Sequence, residues 1–458
     1  METRYIFILI ALSLFFIVPA TSNSQPNQAC ELIQLTDSDR DSRDGELCGD
    51  GTGIIFASRA DILNNGHPNQ EDLFFADLTD PFNPVFYQLT NTPQDDDRPS
   101  ISDDCSFVSF DSRADYAGMN PGGEQEMFLI NISDPNNPQF FQITPTIANS
   151  SIGGNISGDG TKVVFGSSRN YTGMNADGSR EFFVFDTDNI PVPIGQMTND
   201  PNDDGSITQN PVANFDGTRV AFTSSEMYIP PNNVSNGSRQ LFLVDVAYDP
   251  PNPIMTDVFL ITNFPNNDFG ATSPTFTPDG NYILYGSNDN SGGMNPDEQR
   301  ELFLANVTNP IAPVLTQITN TPSFTTSSGV INADATSIAF ITRNDVFSGD
   351  NHEEIISADI TDPNNPFFIA LTAFSAGSEI DDLSASNDLL YISFESESPI
   401  IGNNPDESDE IFILINENCG FEILPDIVPT LSEWGLIAMA AVLGIVGFFV
   451  IRRRQVTA

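Results

Sequence analysis

Residues 158 to 198 read GDGTKVVFGSSRNYTGMNADGSREFFVFDTDNIPVPIGQMT. Within this stretch, Lys162 to Phe165 and Glu181 to Phe185 are short runs rich in β-branched and aromatic residues. They are bounded by Gly, Asn and Asp, the signature of strands. Asp159-Gly160 stands just before the first run. An Asp-Gly pair marks a tight hairpin and implies a type I′ turn, with φ > 0 at both central residues. Gly153 to Ser157 supplies the strand before the turn, and Ile194 to Thr198 the closing strand. The unit is therefore expected to be a four-stranded antiparallel meander, with strands a, b, c and d in order. Periodicity alone does not separate such short runs from buried helix; the spacing and the turn residues do.

The plan repeats along the chain. The closing strand recurs as threonines 36, 90, 144, 198, 262, 319 and 372, most preceded by Gln-Leu, Gln-Ile or Leu-Ile. The ab turns keep step at Asp50-Gly51, Asp104-Cys105, Asp159-Gly160, Asp216-Gly217, Asp279-Gly280, Asp334-Ala335 and Asn387-Asp388. So do the aromatics of strand b: Phe56, Phe110, Phe165, Phe222, Tyr285, Phe340 and Phe394. A fixed period of this size built from short strands indicates a propeller. The fold expected is all-β, a seven-bladed β-propeller of four-stranded antiparallel blades over residues 25–424. Closing the ring protects strand edges that an open array would expose. Leu32 to Thr36 is a d-type strand with no a, b or c before it. It is expected to complete blade seven, beside Ile411 to Ile415. Phe421 to Leu424 either competes for that edge or lies outside it.

Composition narrows the partners. Against 63 acidic residues there are 16 basic ones, a net charge of −47. Duplex nucleic acid is excluded as a partner, because binding it requires Lys and Arg to neutralise phosphates. An acidic surface of this kind keeps an exported protein soluble. Four cysteines in 458 residues do not make a disulfide scaffold, and none are spaced as a zinc-binding CxxC pair.

The termini give an address. Residues 1–24 have the form of a secretory signal peptide: Arg4, an apolar run from Tyr5 to Val18, then the small residues Ala20, Ser22 and Ser24. Residues 425–458 contain an apolar run from Leu436 to Ile451 with Trp434 before it and Arg452 to Arg454 after it. That pattern predicts a single transmembrane helix with its arginines in the cytoplasm.

Two resemblances follow from these residues. Ser157-Gly158-Asp159-Gly160 with Glu181-Phe182-Phe183, and Pro278-Asp279-Gly280 with Glu301-Leu302-Phe303, resemble the TolB-like propeller repeat. The resemblance covers about residues 31–424, with longer bc loops here, and implies a propeller and often a protein-binding role. Pro429, Thr430, Leu431, Trp434 and Gly435, followed by the apolar run and the arginines, resemble the IPTL-CTERM sorting signal, with Val428 in place of the usual Ile. That resemblance implies a bacterial envelope protein, membrane-anchored or sorted to the cell surface, with a membrane-processing enzyme as partner at the tail.

Candidate chemistry is sparse. His67 and His352, the only histidines, fall in bc loops, and no nucleophile elbow or HExxH motif is present. The bc loops do share a pattern: Asn175 and Asp177 before Glu181, Asn295 and Asp297 before Glu301, with related runs at Asn120 and Asn404. Such oxygens suit Ca²⁺, a hard cation wanting six to eight oxygen ligands. They equally suit Asx-turns that shape the loop without metal. Asp37-Ser38-Asp39-Arg40-Asp41 is EF-hand-like only in part, since Ser42 replaces the turn glycine and Cys48 the final Glu. Disulfides are expected at Cys30–Cys419, which would lock the ring shut, and at Cys48–Cys105, at the same end of neighbouring blades.

Two functions compete. The favoured reading is a non-catalytic, envelope-tethered propeller that binds a protein or an extracellular polymer. The rival is a hydrolase or lyase acting on such a polymer with carboxylates of the loop-bearing face. A polar axial pocket with converging carboxylates favours the rival; a featureless or metal-filled channel favours the first. A passive spacer would bind nothing.

Overall fold

The computed structural model describes residues 29–64, 70–118, 120–145, 151–188, 194–199, 211–225, 237–249, 252–264, 270–290, 295, 298–321, 326–343, 353–374, 378–401, 404, 406–417, 419 and 421–422. The expected signal peptide, the sorting motif and its apolar run, His67, His352 and Asp297 lie outside these residues. No helix among the described residues is long and apolar enough to cross a membrane.

Seven antiparallel sheets succeed one another along the chain, each a meander. In blade three the strands are Ser151–Ile156, Lys162–Ser167, Glu181–Asp186 and the short Gly195–Gln196. Blade four accounts for the longest repeat: its c and d strands, Gln240–Asp249 and Asn252–Leu260, run on into an extended hairpin.

Strands b and c are continuously apolar because both of their faces are buried. Successive side chains point to opposite neighbours. Ile54 and Phe56 pack with Ile411 and Ile413 of blade seven. Ile55 and Ala57 pack with Val108 and Phe110 of blade two. The same division recurs at every joint, so the core is a series of apolar wedges between blades. Among them are the wedge of Val164, Phe182, Phe222 and Phe242 and that of Phe340, Ile356, Leu284 and Leu302.

The ring closes with the N-terminal strand. Glu31–Gln34 pairs antiparallel with Glu410–Ile415, placing Leu32 opposite Leu414. Phe421–Glu422 goes elsewhere. It adds a fifth strand to blade six, pairing with Phe367–Ala370. Cys30 is bonded to Cys419 across 389 residues, and Cys48 to Cys105 across 57.

The ab turns differ from the type I′ expectation. Only the second residue of each Asp-Gly pair has positive φ, as at Gly51, Gly160, Gly217 and Gly280. Gly160 N–H donates to Ser157 O (2.8 Å), which makes a type I turn followed by a left-handed residue. The aspartate stays right-handed because its side chain is engaged locally: Asp159 Oδ1 accepts from Thr161 N–H (2.9 Å) and from Ser157 Oγ (2.8 Å). In blade seven the left-handed residue is Leu389, so the matching pair is Asp388-Leu389 rather than Asn387-Asp388.

Backbone bonds join neighbouring a strands at this end. Ala333 N–H donates to Asn387 O, Asn387 to Gly49, Gly49 to Asp103, Asp103 to Gly158, Asp159 to Phe215 and Phe215 to Pro278, all at 2.7–3.1 Å. The belt stops at Pro278, which has no N–H to donate to blade six.

Candidate functional site

The closing threonine and the first residue of strand c form one device. In every blade the threonine hydroxyl accepts the N–H of the second residue of strand c: Leu73, Met127, Phe182, Leu241, Leu302, Ile355 and Ile411, at 2.8–2.9 Å. The same hydroxyl donates to Glu126, Glu181, Gln240 and Glu354. The buried carboxylates also accept N–H groups two residues past the threonine, as Glu301 does from Thr321 (2.6 Å) and Glu410 from Ser38 (2.8 Å). Glu181, Glu301 and Glu410 therefore pin strand c to strand d. The co-recurrence of Thr with an acid 17 or 18 residues earlier, or in blade four with an amide 22 residues earlier, was the sequence signal for this role.

The loop before Glu181 is self-contained. Asn175 is buried, and its Nδ2 donates to Ser179 O (2.7 Å) and Arg169 O (3.3 Å). The Ser179 hydroxyl sits 3.1 Å from Asn175 Oδ1, 3.0 Å from Asp177 Oδ1 and 2.8 Å from Glu181 Oε1. A cation entering here would have to displace that hydroxyl. Asn295 Nδ2 repeats the bond to Gln299 O (2.8 Å), but Gln299 brings no hydroxyl to Asn295 Oδ1. Among the described residues no three His, Cys, Asp or Glu side chains are grouped to hold one metal ion. Ser38, in the EF-hand-like run, serves ring closure through Glu410.

The a strands line an axial cavity of about 510 Å³, contributed by all seven blades. Each of these strands except that of blade four has a register shift midway: between Arg43 and Glu46, Asp97 and Ser100, Ile152 and Gly154, Thr272 and Thr275, Thr326 and Gly329, and Asp381 and Ser384. At the bulge, six residues before the turn aspartate, the backbone is left-handed: Asp44 (φ 55°), Arg98 (52°), Gly153 (66°), Ser273 (48°) and Asp382 (44°). A side chain in that conformation costs about 1–2 kcal/mol, least for Asp or Asn. The bulge bends each strand, and Asp44, Arg98 and Asp382 line the lumen. No hydrophobic pattern marks this position, so it was missed in the sequence; only its offset from the turn aspartate could have found it.

Carboxylates converge at this mouth. Burial raises the Glu395 carboxyl to about 9, with Asp382 and Asp44 adding repulsion. Burial also raises Asp44 and Asp382 themselves, each with a neighbouring carboxylate contributing. The nearest cation to Asp44, Arg43, is held by Glu71 at 2.5 Å, and Arg98 is held by Asp111 at 2.6 Å. Deeper in the channel Glu46 is pushed to about 8, chiefly by the surrounding protein. Its side chain is only partly buried and lines the lumen. Ser100 Oγ donates to Glu46 (3.3 Å) and accepts from Asn155 Nδ2 (3.1 Å), while Asn155 Oδ1 accepts from Ala213 N–H (2.8 Å). These bonds form an arc across four blades. At the far end Asn387 Nδ2 donates to Asp103 Oδ2 (2.7 Å).

The tail has a family match. Residues 428–455 carry an IPTL-CTERM motif. No curated protein sequence matches the chain significantly. Several solved structures align with most of the chain. A puromycin hydrolase S511A mutant complexed with PGG aligns at 9% identity and TM-score 0.54, over 87% of this chain and 55% of that one. An oligogalacturonate lyase in complex with manganese aligns at 13% and 0.53, over 85% and 94%. TolB from Acinetobacter baumannii aligns at 13% and 0.37, over 81% and 78%. At these identities the likeness is one of fold alone.

The raised carboxyls fix a pH response. Glu46, Glu395 and Asp97, the last raised to about 6 by burial and by Asp111, hold protons in the folded state that the unfolded chain releases above about pH 4. Stability therefore falls as pH rises from about 4 toward 9. In the turns, hydrogen bonds lower Asp104, Asp216 and Asp279, so stability also falls below about pH 4. Thermal unfolding should show a Tm maximum near pH 5 and a fall on the order of 5 °C by pH 8.5. Glu395→Gln with Glu46→Gln should flatten that limb; an unchanged slope would place the titration elsewhere.

Proposed function

We propose that this protein is a non-catalytic, envelope-sorted propeller whose acidic axial mouth holds a cationic segment of a protein or polymer. One observation carries the reading: Asp44 and Asp382, from neighbouring blades, both line the lumen beside the buried Glu395, while the nearby arginines are committed to Glu71 and Asp111. Like charges so placed repel, and a Lys or Arg side chain or a polyamine entering the mouth relieves the repulsion. The carboxylates come from different blades, which suits an extended ligand better than one small ion. The sorting motif supports presentation at the envelope.

Calorimetric titration of the purified protein with trilysine tests the reading. Asp44→Asn with Asp382→Asn should weaken binding at least tenfold, whereas Asp80→Asn with Asp362→Asn, in exposed cd loops, should leave it unchanged. Equal losses from the two pairs would reduce binding to the general surface charge.

A second reading uses the same channel. Converging carboxylates in a polar axial pocket are the feature that favours a polymer-acting hydrolase or lyase. Glu46, which lines the lumen and whose carboxyl burial raises to about 8, would serve as the general acid, with Asp44 at the mouth. Release of reducing or unsaturated ends from an acidic or neutral polysaccharide, lost in Glu46→Gln, would establish it. No release from a panel of such polymers would leave the binding reading alone.

A further inference from the structure

We propose that the tail holds the propeller with its ab and cd loops toward the envelope surface and its acidic mouth facing away. Strand d of blade six, Phe367–Ala370, runs from the cd loop toward the da loop. Phe421 pairs opposite Ala370 and Glu422 opposite Ile369, antiparallel to that strand. The departing chain therefore heads toward the end of the ring that carries the ab turns and cd loops. Its point of departure is fixed twice, by this fifth strand and by the Cys30–Cys419 bond three residues before Glu422.

The sorting motif begins at residue 428. The 13 residues between Glu422 and the apolar run that begins at Leu436 can span no more than about 45 Å when fully extended. A tether of that length, leaving the rim in the direction of the cd loops, favours that face toward the membrane. Exposed apolar side chains gather at the same end: Phe82 and Ile311 at cd-loop tips, and Val85, Val314 and Phe367 opening d strands. These meet a lipid surface with less loss than the acidic mouth would. The bc loops, with exposed Met174, and the Asp44–Asp382 mouth are left for partners outside the envelope.

The proposal rests on the tethered part of the functional reading and not on the cationic ligand. All four native cysteines are in disulfides, so single added cysteines report cleanly. Met174→Cys marks the bc end and Ile311→Cys the cd end, at 57% and 82% exposure. Cells displaying the full chain are treated with a 5-kDa polyethylene glycol maleimide, a size set by roughly matching the tether's reach. Met174→Cys should label at least fivefold faster than Ile311→Cys on cells, and the two should label equally after detergent release. A flexible 25-residue insert after Leu424, longer than the native reach by roughly twofold, should abolish the difference on cells. Equal labelling of cell-bound protein, a reversed order, or no labelling at either end would overturn the orientation. Recovery of the protein only in the medium would sink the tether itself.

Discussion

Arg169→Met should destabilise the propeller by about 3–5 kcal/mol, the range for removing one partner of a buried pair. Arg169, in the bc loop of blade three, reaches across to Glu126 at the start of strand c in blade two. Its Nη2 donates to Glu126 Oε1 (2.9 Å), its Nη1 to Oε2 (2.5 Å), and Nη1 also donates to Pro145 O (2.8 Å). The two side chains are 2% and 0% exposed. Burial pushes the Glu126 carboxyl upward even with the guanidinium beside it, so desolvation is only partly offset. Without Arg169 the carboxylate would either stay charged with Thr144 as its remaining side-chain donor or take up a proton. The cost should therefore shrink at pH 5 relative to pH 8, and Arg169→Met with Glu126→Gln should recover most of it. Urea unfolding of the three variants at both pH values is the measurement. A loss below about 1 kcal/mol, the scale of an exposed ion pair, would show that the joint between blades two and three does not depend on this bridge.

That bridge could not have been read from the chain, and the reason is physical. A sequence displays what each unit needs for itself. The number of blades was legible because strands b and c are buried on both faces and leave seven apolar runs, from Ile54–Phe56 to Ile392–Phe394. The closing strand was legible because Leu32 to Thr36 has no unit of its own, and its pairing with Ile411 to Ile415 follows from the need to close a ring. Contacts between units leave a weaker trace. Arg169 and Glu126 lie 43 residues apart in different repeats. Phe421 to Leu424 was expected to compete for blade seven's edge or to lie outside it, and Phe421 to Glu422 pairs instead with the outer strand of blade six. The left-handed residues at the mouth were hidden for another reason. Asp44 and Asp382 look like ordinary surface acids until the bulges turn them into the lumen. The Asn, Asp and Glu of the bc loops drew attention as metal ligands because they recur. In blade three the same residues make the turn and the pin on strand c: Asn175 donates to Ser179 O, and Glu181 accepts from the Thr198 hydroxyl.

The ring closure itself should be the other large effect. Replacing Cys30 and Cys419 by Ser should lower stability by about 6 kcal/mol in the chain-entropy treatment, just above the usual range for a disulfide. The bond spans 389 residues, so it restrains nearly the whole unfolded propeller. Replacing Cys48 and Cys105, which enclose 57, should cost about 4 kcal/mol, because the entropy grows only with the logarithm of loop length. The two pairs should differ more in how unfolding begins than in how much stability is lost. Glu31–Gln34 is a four-residue strand held to blade seven on one side, with Leu35 and Thr36 N–H donating onward to Ile411 O at 2.8 and 3.4 Å. Short terminal strands fray first, and here fraying reopens the wedge of Ile33, Leu35, Ile411 and Ile413 between blades seven and one. Loss of Cys30–Cys419 should therefore raise hydrogen exchange at Ile33, Leu35 and Ile411 by at least tenfold under conditions where the rest of the ring stays protected. Loss of Cys48–Cys105 should leave those amides unchanged, since it joins blades one and two within the continuous chain. Uniform exchange throughout the propeller in the Cys30→Ser, Cys419→Ser variant would mean that the ring opens only by global unfolding and that the bond acts on the unfolded chain alone.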